Sequence, residues 1–157
     1  MAAAITAGKS MVVRNSTINC SSKADINVTT IGVIFTSNVP KAEVLLENCT
    51  IQAHDAVQLK AVSGLSAENC ILLGDRTGVF VESNPGDRLT HRIKDCVIKV
   101  RDDSKKALFC VQFSGDVVLD SCELDAGSAD LLLSVLGNST VSISNSTVKG
   151  DMKRVKL

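Results

Sequence analysis

The sequence predicts an all-β solenoid of parallel strands, a β-helix of about six coils, and an internal repeat carries that prediction. Six ten-residue segments superimpose: Met11–Cys20, Val44–Ala53, Leu65–Gly74, His91–Val100, Val117–Ala126 and Val141–Gly150. Each turns on a small polar residue, in order Asn15, Asn48, Asn69, Asp95, Ser121 and Asn145. The last four intervals between these pivots are 21, 26, 26 and 24 residues, suited to one circuit of a parallel β-helix. The first interval, 33, calls for an inserted loop or an irregular first coil.

Along each segment the apolar and small residues alternate, as in strands with one buried face. Two residues before the pivot stand Val13, Leu46, Ala67, Ile93, Leu119 and Ile143; three after it stand Ile18, Ile51, Leu72, Ile98, Leu124 and Val148. The inward phase slips by one residue at the pivot, so the chain must bend there. Asn and Asp are the non-glycine residues that best tolerate the positive φ of such a bend. Further apolar runs at 31–35, 56–62, 78–81, 107–113 and 131–136 supply a third strand in most coils. Leucine-rich repeats would need a regular L-x-x-L-x-L frame and left-handed hexapeptide coils a strict six-residue period; the chain has neither.

The pattern of strand, Asn bend and strand resembles the right-handed parallel β-helix repeat of the pectate-lyase-like superfamily over roughly residues 11–150. The resemblance implies a single-stranded, right-handed β-helix with an inward ladder of the six pivot side chains. The organisation expected is an N-terminal cap or tail over 1–10, the helix over 11–150 and a basic C-terminal tail over 151–157.

Composition narrows the function. The 157 residues carry no net formal charge, no Trp, no Tyr and four Phe. That argues against a polyanion binder and against aromatic platforms for bases or sugar rings, so no nucleic-acid partner is expected. No run approaches the roughly 18 apolar residues of a membrane-spanning helix. Four of the six Cys (Cys49, Cys70, Cys96, Cys122) fall just after a pivot, in one inward column with Ser16 and Ser146. Parallel neighbours about 4.8 Å apart do not meet disulfide geometry, which wants facing Cβ atoms about 3.8 Å apart, so free thiols are expected. With no basic-then-apolar leader, free thiols favour an intracellular location. Three of the six N-x-S/T sequons fall on pivots (Asn15, Asn48, Asn145) and read as by-products of a buried ladder.

Two places could carry chemistry. Just past the second strand lie His54-Asp55, Asp75-Arg76 and Arg101-Asp102-Asp103. The superfamily resemblance implies that Asp55, Asp75 and Asp102 could hold Ca²⁺, with Arg76 or Arg101 as the base of a polysaccharide lyase; otherwise they are turn residues and no cofactor is expected. The second place is a pair of proline-bearing loops, 36–43 and 83–90, whose Asn38, Lys41, Asn84, Asp87 and Arg88 are candidate binding residues. Arg92-Ile93-Lys94 matches the R-I-K of polygalacturonases, but the G-H-G that should precede it is missing and Asp102-Asp103 follows in the wrong order. Lys153–Leu157 resembles a short basic import signal and equally fits a tail.

The leading expectation is a non-enzymatic binding or scaffold module that engages a protein or polysaccharide through a solenoid face or the two loops. The alternatives are a small or degenerate carbohydrate-active protein of the Ca-dependent lyase type, and a stacking or cap unit of a fibre. Unpaired strand edges at the ends make a homo-oligomer by stacking conceivable on physical grounds.

Overall fold

The computed structural model describes residues 4–6, 10–20, 30–37, 42–60, 64–83, 89–101, 109–127 and 131–150. These form an all-β solenoid in which every strand pairing is parallel. In chain order the strands are β1 (Ala4–Thr6), β2 (Ser10–Arg14), β3 (Thr17–Asn19), β4 (Ile31–Thr36), β5 (Glu43–Glu47) and the long β6 (Thr50–Lys60). Next come β7 (Gly64–Glu68), the long β8 (Ile71–Glu82), β9 (Thr90–Lys94), β10 (Val97–Val100) and β11 (Phe109–Ser114). The last are β12 (Asp116–Asp120), β13 (Glu123–Asp125), β14 (Leu131–Leu136), β15 (Val141–Ser144) and β16 (Thr147–Lys149).

One face is a six-stranded sheet in the order β15-β12-β9-β7-β5-β2. A ten-stranded sheet supplies the other two, because β6 and β8 run unbroken from the second face onto the third. The solenoid has about four turns rather than six. A turn closes only where the chain comes back to the next pivot. The first interval passes through residues 21–29, outside the described residues, and the last pivot opens a turn that the described residues do not close.

All six pivots bend as expected, with φ between 49° and 55° at Asn15, Asn48, Asn69, Asp95, Ser121 and Asn145. Their side chains point the other way from the expectation: the six are exposed, so the ladder is outward, not inward. The left-handed bend turns the pivot Cβ to solvent, and the next residue takes the interior position. Asn48 Nδ2 donates to Asn15 Oδ1 at 3.1 Å, and Asn69 Nδ2 donates to Asn48 Oδ1 at 2.7 Å. Burial therefore does not account for the sequons at Asn15, Asn48 and Asn145.

The residue after each pivot is the inward one. Cys49, Cys70, Cys96 and Cys122 are buried, and each thiol donates to the carbonyl two residues back at 3.1–3.3 Å. Ser16 and Ser146, in the outermost of these rungs, make the same bond by hydroxyl at 2.7 and 2.6 Å. All six cysteines are free. Burial raises the pKa of Cys122 and pushes that of Cys110 up to about 12, so both stay thiols.

The core fills with stacked columns. On the third face Phe35, Leu59, Val81, Phe113 and Val135 align, with bulky rings spaced by aliphatic residues. His91, fully buried, interrupts the aliphatic column of the first face. Its Nδ1 accepts from the Leu65 N–H at 3.1 Å, its Nε2 lies 2.9 Å from the Ser114 carbonyl, and its ring stacks on Phe113 with centroids 5.3 Å apart. Accepting at Nδ1 leaves the proton on Nε2, so the ring is neutral, and desolvation lowers its pKa.

Candidate functional site

The corner between the second and third faces gathers the charged residues, and its backbone is irregular. Ala53 pairs with Gly74, yet Asp55 pairs with Thr77, so the later coil holds one extra residue there. Only glycine fits at the start of that bulge, because a Cβ on Gly74 would run into the Thr77 carbonyl. The slip staggers the expected acidic column: Asp55 does not stand beside Asp75.

Cross-coil pairs form in its place. Arg76 reaches back one coil and grips Asp55 with two nitrogens, Nε to Oδ1 at 2.9 Å and Nη2 to Oδ2. Arg101 likewise reaches back to Asp75, Nε to Oδ1. Asp55 is 2% exposed and Asp75 7%, so these carboxylates belong to the interior. A buried carboxylate without a counter-charge would be costly, and the guanidinium of the next coil supplies one.

His54 and Thr30 extend the network on its other side. The Thr30 N–H donates to His54 Nδ1 at 3.2 Å, and the His54 N–H donates to Thr30 Oγ1 at 3.1 Å. His54 Nε2 lies 3.9 Å from Asp75 Oδ2, beyond hydrogen-bond distance. Thr30, His54 and Asp75 thus run in the order of nucleophile, base and acid. The hydroxyl is buried, however, and its oxygen already accepts a backbone N–H. Here Thr30 and His54, whose side chains also meet at 2.9 Å (Oγ1 to Nδ1), clamp one coil to the next.

Of the expected site residues, the fold brings together Asp55, Asp75, Arg76 and Arg101. Asp102, Asn38, Lys41, Asn84, Asp87 and Arg88 lie outside the described residues. Hydrogen bonding to Asp55 raises the pKa of Arg76, which moves it away from use as a base. Among the described residues no three His, Cys, Asp or Glu side chains converge on a point that would suit a metal ion. Sequence reasoning missed Thr30. Its signal was a hydroxyl residue just ahead of the apolar run 31–35, one coil before His54.

A different kind of surface lies on the outside of the six-stranded sheet. A concavity of about 340 Å³ there is lined by Ser10, Val12, Glu43, Leu45, Ser66 and Arg92, among others. Val12 is 55% exposed. Arg92 and Lys94 of the R-I-K tripeptide both face out, on either side of buried Ile93, and Lys94 lies 3.6 Å from Glu68 and from Asp95.

Fold and corner together define a short parallel β-solenoid in which buried carboxylates are paired with partly exposed arginines of the next coil. No protein-family description matches the chain, and no curated protein or solved structure is significantly similar to it.

Proposed function

We propose that the chain is a non-enzymatic binding or scaffold module of β-solenoid form, with the outer face of the six-stranded sheet and the loops 36–43 and 83–90 as its contact surfaces. One observation carries this reading: the carboxylates best placed for metal or acid–base chemistry, Asp55 and Asp75, are buried and held by the arginines of the following coil. A Ca²⁺-dependent lyase needs such oxygens open to the ion. The concavity around Val12, Leu45 and Arg92 offers apolar floor and a cation to a protein or polysaccharide partner. The repeat's resemblance to the pectate-lyase-like superfamily fits a scaffold of that architecture adapted to binding.

The test is a thermal-shift panel of acidic and neutral polysaccharides, with and without millimolar Ca²⁺, on the wild type and on Arg92→Ala. A ligand at about 100 times its Kd adds roughly 2.7 kcal/mol, a shift of about 5–11 °C for a domain of this size. The proposal expects no shift that requires Ca²⁺, and expects any polysaccharide shift to persist in chelator and shrink in Arg92→Ala. A shift needing both Ca²⁺ and a uronate polymer would overturn it in favour of the lyase class.

A further inference from the structure

The two outermost described rungs of the solenoid share the same triplet at their bends and apolar residues at the same inward positions. Val141–Lys149 reads VSISNSTVK and Met11–Asn19 reads MVVRNSTIN, and of the six pivots only Asn15 and Asn145 open an Asn-Ser-Thr triplet. Of their inward residues Val13, Ile18, Val141, Ile143 and Val148 are partly buried and Met11 is buried, whereas the counterparts in the inner coils are all buried. Among the described residues β15 and β16 each pair on one side only, with β12 and β13, and β2 and β3 pair on one side only, with β5 and β6. Such edges are templates for another strand, and natural proteins guard them with charge or proline. These four strands have no proline. Their only charges are Arg14 and Lys149, each already paired with an inner coil, Arg14 with Glu47 at 2.6 Å and Lys149 with Asp125 at 3.5 Å.

We propose that this chain binds a second copy of itself head to tail, β15 and β16 of one copy pairing in parallel and in register with β2 and β3 of the next. This goes beyond the binding-module reading and does not rest on it. In that register Val141 meets Met11, Ile143 meets Val13, Ser146 meets Ser16 and Val148 meets Ile18, so each inward column continues with a residue of its own kind. No like charges oppose: Arg14 falls beside Ser144, and Lys149 beside Asn19. On the third face β1 of the following copy falls beside β14, whose one pairing among the described residues is with β11.

The outward amide column gives the junction its direction. Where amides stack in the chain the later coil donates to the earlier one, Asn48 to Asn15 and Asn69 to Asn48, and Asn145 Nδ2 donates back to Asp120 Oδ1, beside the Ser121 pivot, at 3.0 Å. At the junction Asn15 Nδ2 of the following copy therefore meets Asn145 Oδ1, donor to acceptor with the same polarity. Contact between two different surfaces on one chain does not close on itself, so it propagates as a filament.

Sedimentation across a hundredfold concentration range tests this on the wild type, on Val13→Lys and on Ile143→Lys, each checked for folding by circular dichroism. The wild type is expected to grow past the dimer with concentration. Each variant alone is expected to associate at least tenfold more weakly, and an equal mixture of the two to stop at a 1:1 dimer, each supplying its intact end. A wild type that stays monomeric, association unchanged in either variant, or a mixture that grows past the dimer would overturn the proposal. If the lysine variants fail to fold, Asn15→Asp serves instead: its carboxylate still accepts from Asn48 but has no proton for Asn145. Weaker association with an unchanged melting temperature supports the junction; unchanged association overturns it.

Discussion

The two corners of the coil solve the same problem, turning a strand through a tight angle, by different physics. At the pivot corner the solution is local and repeated. A residue that tolerates positive φ bends the chain, and the next side chain bonds the carbonyl two residues back, as thiol in the inner coils and hydroxyl in the outermost rungs. At the charged corner each coil differs from the last. A bulge in one coil slips the register, and partners 21 and 26 residues apart, Asp55 with Arg76 and Asp75 with Arg101, tie neighbouring coils together. The first corner is written in any single repeat, whereas the second exists only once two coils are stacked.

That contrast orders the expected effects of substitution. The largest belong to the charged corner. Arg101→Met leaves the buried Asp75 carboxylate without its guanidinium, and urea denaturation is expected to show a loss of about 2–3 kcal/mol, below the full buried-pair value because Arg101 is a third exposed. At the pivot the cost is that of forcing a left-handed bend. Asn69→Val is expected to lose about 1–2 kcal/mol and Asn69→Gly only a few tenths, and the same ranking should recur at Asn48.

Next comes pH. His91 is buried neutral with its pKa lowered, so below the unfolded-state value of about 6.5 the unfolded chain takes up a proton that the folded chain refuses. Its contribution is fully present above that value and is lost as pH falls, by at most about 1.4 kcal/mol per unit. Melting curves from pH 7.5 to 5.5 should show this slope in the wild type and a smaller one in His91→Gln. The smallest effect is expected at the thiol column. Cys122→Ser can make the bond that Ser146 makes one coil on, so a loss under about 1 kcal/mol is expected, against more at Cys110, which lies off that column.

The same contrast explains what could be read beforehand. The parallel solenoid, its bends and its thiol column were legible because each depends on residues close in sequence and recurs. The outward set of the pivots was missed, although Asp95 among them was a clue, since a carboxylate without a counter-charge does not belong in a narrow core. The pairing of Asp55 with Arg76 was not legible for another reason. It depends on the single extra residue between Gly74 and Thr77, which no periodicity announces, and which staggers Asp55 and Asp75. Counting pivots as coils overstated the length, because a pivot marks the opening of a turn and not its closure.

The central claim is that the buried carboxylates of the charged corner belong to the fold. A double-mutant cycle on Asp55→Asn and Arg76→Met, read by urea denaturation with and without millimolar Ca²⁺, tests it most directly. A coupling between the two residues above about 1 kcal/mol, unchanged by Ca²⁺, is the predicted result. Additive losses, with Ca²⁺ stabilising the wild type and failing to stabilise Asp55→Asn, would contradict it and return Asp55 to the role of a metal ligand.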